Sequence, residues 1–301
     1  MYFLMKKSVV VIINPISGTR DKEAIKQTIV DGLDKDLYDI RIEYTQHAGH
    51  GTEIALEAKA KGDDIVVAVG GDGTVNEIGK ALAGSETAMA IIPCGSGNGL
   101  ARHLHIPMNI ASAVGVINGG HRETIDYGII DNHPFFCTCG IGFDAQVTMA
   151  FTEKGSRGLL TYISTTVEQY FKYKCGSYQL TLDDNEETVR AFLITIGNAS
   201  QYGNNAYIAP RATMKDGLLD IVVLKPFPLI DVPSLAYRLF HKKIEESRYV
   251  EHRLCKHLII HRDAPGSAHF DGEPLKAGKD IDIRIVPQSL HVIVPTETKE
   301  I

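Results

Sequence analysis

Gly70-Gly71-Asp72-Gly73-Thr74-Val75-Asn76-Glu77 combines the properties that phosphate handling asks of a backbone. Its glycines let the main chain approach a ligand and turn N–H groups toward it, and Asp72 adds a hard carboxylate suited to magnesium or its waters. A plain structural turn seldom needs three glycines together with Asp, Thr, Asn and Glu, so a phosphate or metal role outweighs a turn-only one. A second glycine-rich stretch, Pro93-Cys94-Gly95-Ser96-Gly97-Asn98-Gly99, contributes a hydroxyl. It lacks the Gly-Lys-Ser/Thr of a Walker A loop and does not keep the Gly-x-Gly-x-x-Gly spacing of a dinucleotide turn. Asn14-Pro15-Ile16-Ser17-Gly18 offers an amide, a hydroxyl and a flexible glycine. Taken alone, it is equally well a simple strand-to-helix turn.

The later chain carries Asp216-Gly217-Leu218-Leu219-Asp220 and Asp271-Gly272-Glu273. Asp-Gly is common at hairpin turns, and each motif alone reads as structural. The Asp271/Glu273 pair asks for more, because i and i+2 carboxylates of an extended chain point the same way and repel unless they share a cation or proton. One of the two is therefore a candidate general base for a hydroxyl.

These residues need elements to hold them. Apolar runs at Ser8–Ile13, Ile65–Val69 and Ala88–Ile92 and the alternating segment Tyr38–Tyr44 read as strands, separated by helical periodicity at Lys22–Leu33, Thr52–Ala60 and from Asn76 to Leu82. This βαβα order implies an α/β domain with a parallel sheet, whose ligands lie at the carboxyl ends of the strands. Beyond Ile125 strand signals dominate, at Phe135–Gly140, Tyr178–Leu182, Ala191–Ile196, Leu219–Leu224, Leu258–Ile260, Ile281–Ile285 and Ser289–Val294. Helical segments at Leu159–Phe171 and Ser234–Glu246 interrupt them. The expected organisation is an α/β nucleotide-binding domain over 1–125 and a mostly β sandwich domain over 126–301. The last strand is free to return to the first domain, and the active cleft is expected between the two.

A net charge of −6 argues against a general nucleic-acid binder. The five scattered cysteines form no disulfide framework, which favours a reducing compartment, and Cys137-x-Cys139 reads as small buried residues of an apolar strand. The start of the chain has no signal-peptide pattern, and no stretch approaches the about 20 apolar residues of a membrane span. The expected location is cytoplasmic, with peripheral contact at the inner membrane surface as an option. From Leu235 to Arg262, seven Lys/Arg stand against three Glu, with Leu235, Leu239 and Phe240 among them. That composition suits an interfacial helix as well as it suits a solvated one packed on the sandwich.

Together the motifs resemble the diacylglycerol kinase catalytic family, the soluble bacterial lipid kinases related to the sphingosine kinases. The matching pieces run in order: Asn14-Pro15-x-Ser17-Gly18, Gly70 to Glu77, Pro93-x-Gly95-Ser96-Gly97-Asn98, Gly142-Phe143-Asp144-Ala145, Asp216 to Asp220 and Asp271-Gly272-Glu273. The resemblance implies that ATP contacts Asn14, Ser17, Gly18, Thr45, the loop Gly71-Asp72-Gly73-Thr74-Val75-Asn76-Glu77, and Ser96. It places the acidic base at Asp271 or Glu273, and a magnesium ion at Asp216 with the carbonyls of Thr213 and Leu218. Ser96 stands where many bacterial members have threonine. Asn98-Gly99 stands where many read Asn-Asp, a form closer to the sphingosine-kinase branch.

The implied reaction transfers the γ-phosphoryl group of ATP to a lipid hydroxyl such as that of diacylglycerol or a sphingoid base. Asp72 and Mg²⁺ would offset charge, and Asp271 or Glu273 would accept the proton. The rivals are an NAD kinase, which also carries Gly-Gly-Asp-Gly-Thr, and a regulatory protein that binds nucleotide or lipid without turnover. Asn76-Glu77 and the Pro93–Asn98 loop favour the lipid kinase. Oligomeric state is not legible, and a homodimer is compatible with the sequence.

Overall fold

The computed structural model describes residues 6–18, 21–153, 166, 168–170 and 172–296. The chain divides into two compact units, one of residues 1–125 with 288–301 and one of residues 126–287.

Unit 1 is built on four parallel strands in the order β2 (Tyr38–Tyr44), β1 (Lys7–Ile13), β3 (Ile65–Gly70), β4 (Ala88–Pro93). β3 and β4 are buried along their whole length, because helices cover both faces of a parallel sheet. The crossovers are α1 (Lys22–Gly32), α2 (His50–Lys61) and α3 (Asp72–Leu82), followed by α4 (Gly99–His103) and α5 (Ile110–Gly119). Each parallel strand ends at the same edge of the sheet. The turns after β1, β2, β3 and β4 are thereby gathered along one line.

α3 begins at Asp72, four residues before the start expected at Asn76. The apolar pattern begins only at Val75, so periodicity registers the helix a turn late, while Gly71 in extended conformation is its N-cap.

Unit 2 holds a six-stranded antiparallel sheet in the order β12 (Val250–Cys255), β11 (Leu219–Leu224), β10 (Leu193–Gly197), β7 (Thr138–Gly142), β14 (Gly266–Phe270), β15 (Glu273–Ala277). A second antiparallel set runs β16 (Asp280–Ile293), β13 (His257–His261), β8 (Gly176–Leu182), β9 (Asn185–Ala191). β5 (Arg122–Ile130) lies beside β16 and carries β6 (His133–Phe135). Phe135, Ile141, Leu180, Ile194, Ile221, Ile260 and Ile283 pack into the core of this unit. Along β11, Leu219, Ile221 and Val223 enter that core, while Val222 and Leu224 pack on the opposite face against Phe143 and Phe192. β11 is covered on both sides, which is why it reads as an unbroken apolar run. α6 (Phe143–Glu153) and α7 (Val232–Phe240) contribute to this outer layer through Phe143, Val147 and Leu235.

The helix expected at Ser234–Glu246 runs over Val232–Phe240 and is followed by a 3-10 turn at Ile244–Glu246; the rest of the basic stretch to Arg262 is largely the strands of residues 250–255 and 257–261, where Arg253 is held by Glu187 and Glu251. Segments 281–285 and 289–294 form one long strand, kinked at Gln288 with φ of 47°. The helical segment expected at 159–171 lies outside the described residues except for Thr166, Glu168, Gln169 and Tyr170, which are helical. Cys94, Cys137, Cys139 and Cys255 are buried, and burial pushes the Cys139 thiol well up. Among the described residues, no helix is long and apolar enough to cross a membrane.

Candidate active site

In unit 1, the two glycine loops touch backbone to backbone. A methyl group at Gly95 would lie 2.6 Å from the Gly71 Cα, so this approach is open only to glycine. Asp72 ties the loops together. Its carboxylate accepts from the N–H of Asn98 at 2.9 Å and of Gly99 at 2.7 Å. Burial raises the Asp72 carboxyl above its usual range, and those two N–H groups and Arg102 pull it back toward the ionised form. Asn98 closes its own loop, accepting from Gly95 N–H at 3.0 Å and donating to Gly95 O at 2.8 Å.

The first loop joins through Asn14, whose amide donates to Thr74 Oγ1 at 3.0 Å and accepts from Ile16 N–H at 3.1 Å. Gly18, at φ of 66°, abuts the Cys94 carbonyl so closely that no side chain fits. Glu77 reaches to another loop. Its carboxylate accepts from Gly49 N–H at 2.9 Å and Gly51 N–H at 3.2 Å, placing an anion at the start of α2, where Gly49 provides no side-chain cap. Thr45 is buried at the head of that loop, with its N–H on Ile13 O at 3.0 Å.

Asn14 with Thr74, and Asp72 with Asn98 and Gly95, thus form two bonded sets on the loops that meet at Gly71 and Gly95, and Glu77 holds the loop after β2. No side chain caps α3. The Ser96 hydroxyl is exposed, with no hydrogen bond among the described residues. A helix start flanked by glycine backbone is suited to a phosphate.

In unit 2, Asp271 and Glu273 part company. Asp271 (φ 45°) and Gly272 (φ 82°) make the two-residue turn of the β14–β15 hairpin, in which Phe270 pairs with Glu273. The expected parallel orientation of the two carboxylates is therefore incorrect, because Asp271 is not in extended chain. Its oxygens accept from the N–H groups of Phe136 (2.8 Å), Cys137 (2.8 Å) and Thr138 (3.1 Å). Glu273 is exposed and makes no side-chain hydrogen bond or ion pair among the described residues.

Asp216 lies in an exposed turn, accepting from Leu218 N–H at 3.0 Å, with Thr213 also exposed. Its carboxyl is raised chiefly by desolvation, then by the carboxylates of Asp220 and Asp126. Asp126, fully buried, accepts from Gly217 N–H at 2.8 Å and so holds the same turn. The carboxylates of Asp216, Asp126 and Asp220 around one turn make a hard-oxygen set of the kind that fits magnesium. His47, His50 and Glu53 also bring ligand-type atoms within 4.8 Å of one another. The Gln46 N–H bonds to His50 Nδ1 at 3.0 Å, which leaves the proton on the other ring nitrogen, and imidazole is in any case a poor partner for magnesium.

One buried network had no signal in spacing. Asp144 Oδ2 accepts from Thr195 Oγ1 at 2.9 Å and Tyr202 OH at 3.1 Å, and meets His269 Nε2 at 3.1 Å. A side chain at Gly140 would come within 3.0 Å of both Asp144 and His269. His269 Nδ1 is buried without a hydrogen-bond partner among the described residues. The sequence hint was an aspartate inside the otherwise apolar Gly142–Ala145 motif, but its partners come from three other segments.

Comparison with known proteins now bears on these sites. The model of the diacylglycerol kinase catalytic domain matches residues 8–130, and that of the YegS C-terminal NAD kinase beta sandwich-like domain matches residues 137–294. This chain belongs to the YegS-like diacylglycerol kinase family. A "Diacylglycerol kinase" of Mycobacterium tuberculosis is 32% identical over 250 residues, 79% of each chain. A "Probable lipid kinase YegS-like" of Pseudomonas syringae is 29% identical over 285 residues, 92% of each chain. Among solved structures, a diacylglycerol kinase from Bacillus anthracis superposes with a TM-score of 0.77, covering 96% of this chain and 97% of that one at 22% identity. An NAD kinase from Archaeoglobus fulgidus in complex with ATP reaches a TM-score of 0.53 at 12% identity, covering 95% and 93%. The α/β unit followed by a β sandwich is thus the architecture of the family, and the chain is an ATP-dependent phosphotransferase of the lipid-kinase class.

Proposed function

We propose that the enzyme transfers the γ-phosphoryl group of ATP to a hydroxyl of a diacylglycerol-type lipid. The observation that carries the phosphoryl-transfer reading is the uncapped start of α3, set against the Gly95 loop and locked by Asp72. Phosphoryl transfer asks mainly for positioning and charge neutralisation, and rigid backbone donors serve both. Asn14, Ser17, Gly18, Thr45, Gly71–Glu77 and Ser96 form the nucleotide site in this reading. Asp72 and Glu77 act by holding loops, and Ser17, Ser96 and backbone N–H groups meet the phosphates.

Glu273 is the general base. Of the two acids in its turn, it is the one whose oxygens are uncommitted, whereas Asp271 shapes the turn. Asp216, with the carbonyls of Thr213 and Leu218, would hold Mg²⁺, which would supply charge compensation in that unit. The lipid acceptor is supported by the names of the relatives. The diacylglycerol kinase of M. tuberculosis and the P. syringae YegS-like protein match over both units, whereas the likeness to the NAD kinase is one of fold.

The test is transfer of label from γ-labelled ATP to diacylglycerol, monoacylglycerol, sphingosine, ceramide, phosphatidylglycerol or NAD in mixed micelles. Diacylglycerol should be labelled fastest. Labelling of NAD alone, or ATP binding with no labelled acceptor, would overturn the reading.

A further inference from the structure

α7 is a surface helix that is apolar on both sides. Leu235 turns inward, 7% exposed, and Leu239 packs beside it. The outward face is also largely apolar: Tyr237 is 58% exposed and Phe240 51%, Val232, Pro233 and Ala236 are exposed before them, and Ser234 is the one polar residue of α7 that is exposed with them. The short 3-10 turn Leu229–Asp231 extends the same crest, with Ile230 at 84% exposure and Leu229 at 52%. Helices that cover a core normally present polar residues to water, so an apolar outward stripe calls for a partner.

The charges beside the crest identify that partner. Each nearby acid is already matched: Asp231 by Arg248, Glu245 by Arg211, Glu246 by Arg238 and Glu251 by Lys225 and Arg253. Lys242 and Lys243, exposed just past the end of α7, have no carboxylate partner among the described residues. Lys242 sits at φ of 59° with its ammonium 4.9 Å from the Tyr207 ring. The local surplus is positive on a protein of net charge −6. We propose that the crest Leu229–Phe240, with Lys242 and Lys243, seats the enzyme on an anionic lipid bilayer, the aromatic and aliphatic side chains entering the headgroup layer and the lysines meeting lipid phosphates. A second copy fits less well, since an isologous contact sets each patch against itself and brings the two lysine pairs together. Of the apolar contacts expected from the sequence, Leu235, Leu239 and Phe240, only Phe240 lies on this surface; Leu235 and Leu239 pack inward.

The choice of a lipid surface rests on the lipid-kinase reading, and the experiment separates the two. The full chain is sedimented with vesicles of phosphatidylcholine alone or with about one-third phosphatidylglycerol, without ATP or diacylglycerol. Activity on diacylglycerol in detergent micelles is measured in parallel. Wild type should bind the anionic vesicles at least tenfold more tightly than the neutral ones. Ile230→Ser with Phe240→Ser should lower anionic-vesicle binding about tenfold or more. Lys242→Glu with Lys243→Glu should abolish the preference for anionic vesicles. Micelle activity should stay within about twofold in both variants, since neither pair touches the nucleotide loops or Glu273. Vesicle binding that is unchanged in both pairs overturns the proposal. So does a concentration-dependent dimer lost in the Ile230/Phe240 variant, with no vesicle binding by wild type. Loss of micelle activity in wild type would instead strike the kinase reading and leave the surface standing on its vesicle result.

Discussion

Asp72, Asp271 and Glu273 are all carboxylates in motif positions, yet their surroundings give them different work. Asp72 spends its oxygens on Asn98 and Gly99, and Asp271 spends its own on three successive N–H groups. Replacing Asp72 by Asn keeps one acceptor but turns an amide N–H toward the other donor. Turnover should fall about 100-fold or more, as expected when a positioning contact is lost, with the fold retained by circular dichroism. Near-normal activity would refute the positioning role. Gly95→Ala probes the same contact sterically. The added methyl forces the loops apart, costing about 1–3 kcal/mol in denaturant unfolding and raising KM for ATP. An unchanged KM would mean the loops do not hold the nucleotide. The glycines and Asp72 were legible in the sequence because their types are unusual together. What Asp72 bonds to was not, since its donors lie 26 and 27 residues further along the chain.

At the scale of elements, α2 and α3 are joined through Glu77, which places a charge at the start of a neighbouring helix. Glu77→Gln removes that charge and one of the two acceptors. It should lower stability by about 1–2 kcal/mol, read as a shift in urea midpoint at unchanged slope. A shift below about 0.3 kcal/mol would reduce Glu77 to a surface contact. Strands β1, β3 and β4 were legible because buried parallel strands read as unbroken apolar runs, and the edge strand β2 was legible from its alternation of apolar and charged residues. β12, β14 and β15 were not, because Glu251, Arg253, His269 and Lys276 interrupt their apolar pattern. β12 and β15 are also edge strands of their sheet, where charge is useful.

For the whole molecule, pH should act on stability through His252. Its bond to the buried Asp220, 2.6 Å, raises the imidazole above its ordinary value of 6.5 against the opposing effect of burial. A raised folded-state value means that protonation favours the native state. The contribution is complete below about pH 6.5 and is lost as pH climbs through the folded value. Wild type should therefore lose about 2–3 °C of Tm between pH 6 and 8.5 that His252→Gln does not lose. Equal slopes would remove His252 from the account. The central claim is that Glu273 accepts the proton of the lipid hydroxyl during phosphoryl transfer. It is tested most directly by the rate at which γ-labelled ATP labels diacylglycerol in wild type and in Glu273→Gln, with ATP affinity measured alongside. The account predicts a loss of about 10²–10⁴-fold in kcat at unchanged ATP affinity. A Glu273→Gln enzyme that labels diacylglycerol at the wild-type rate would contradict it.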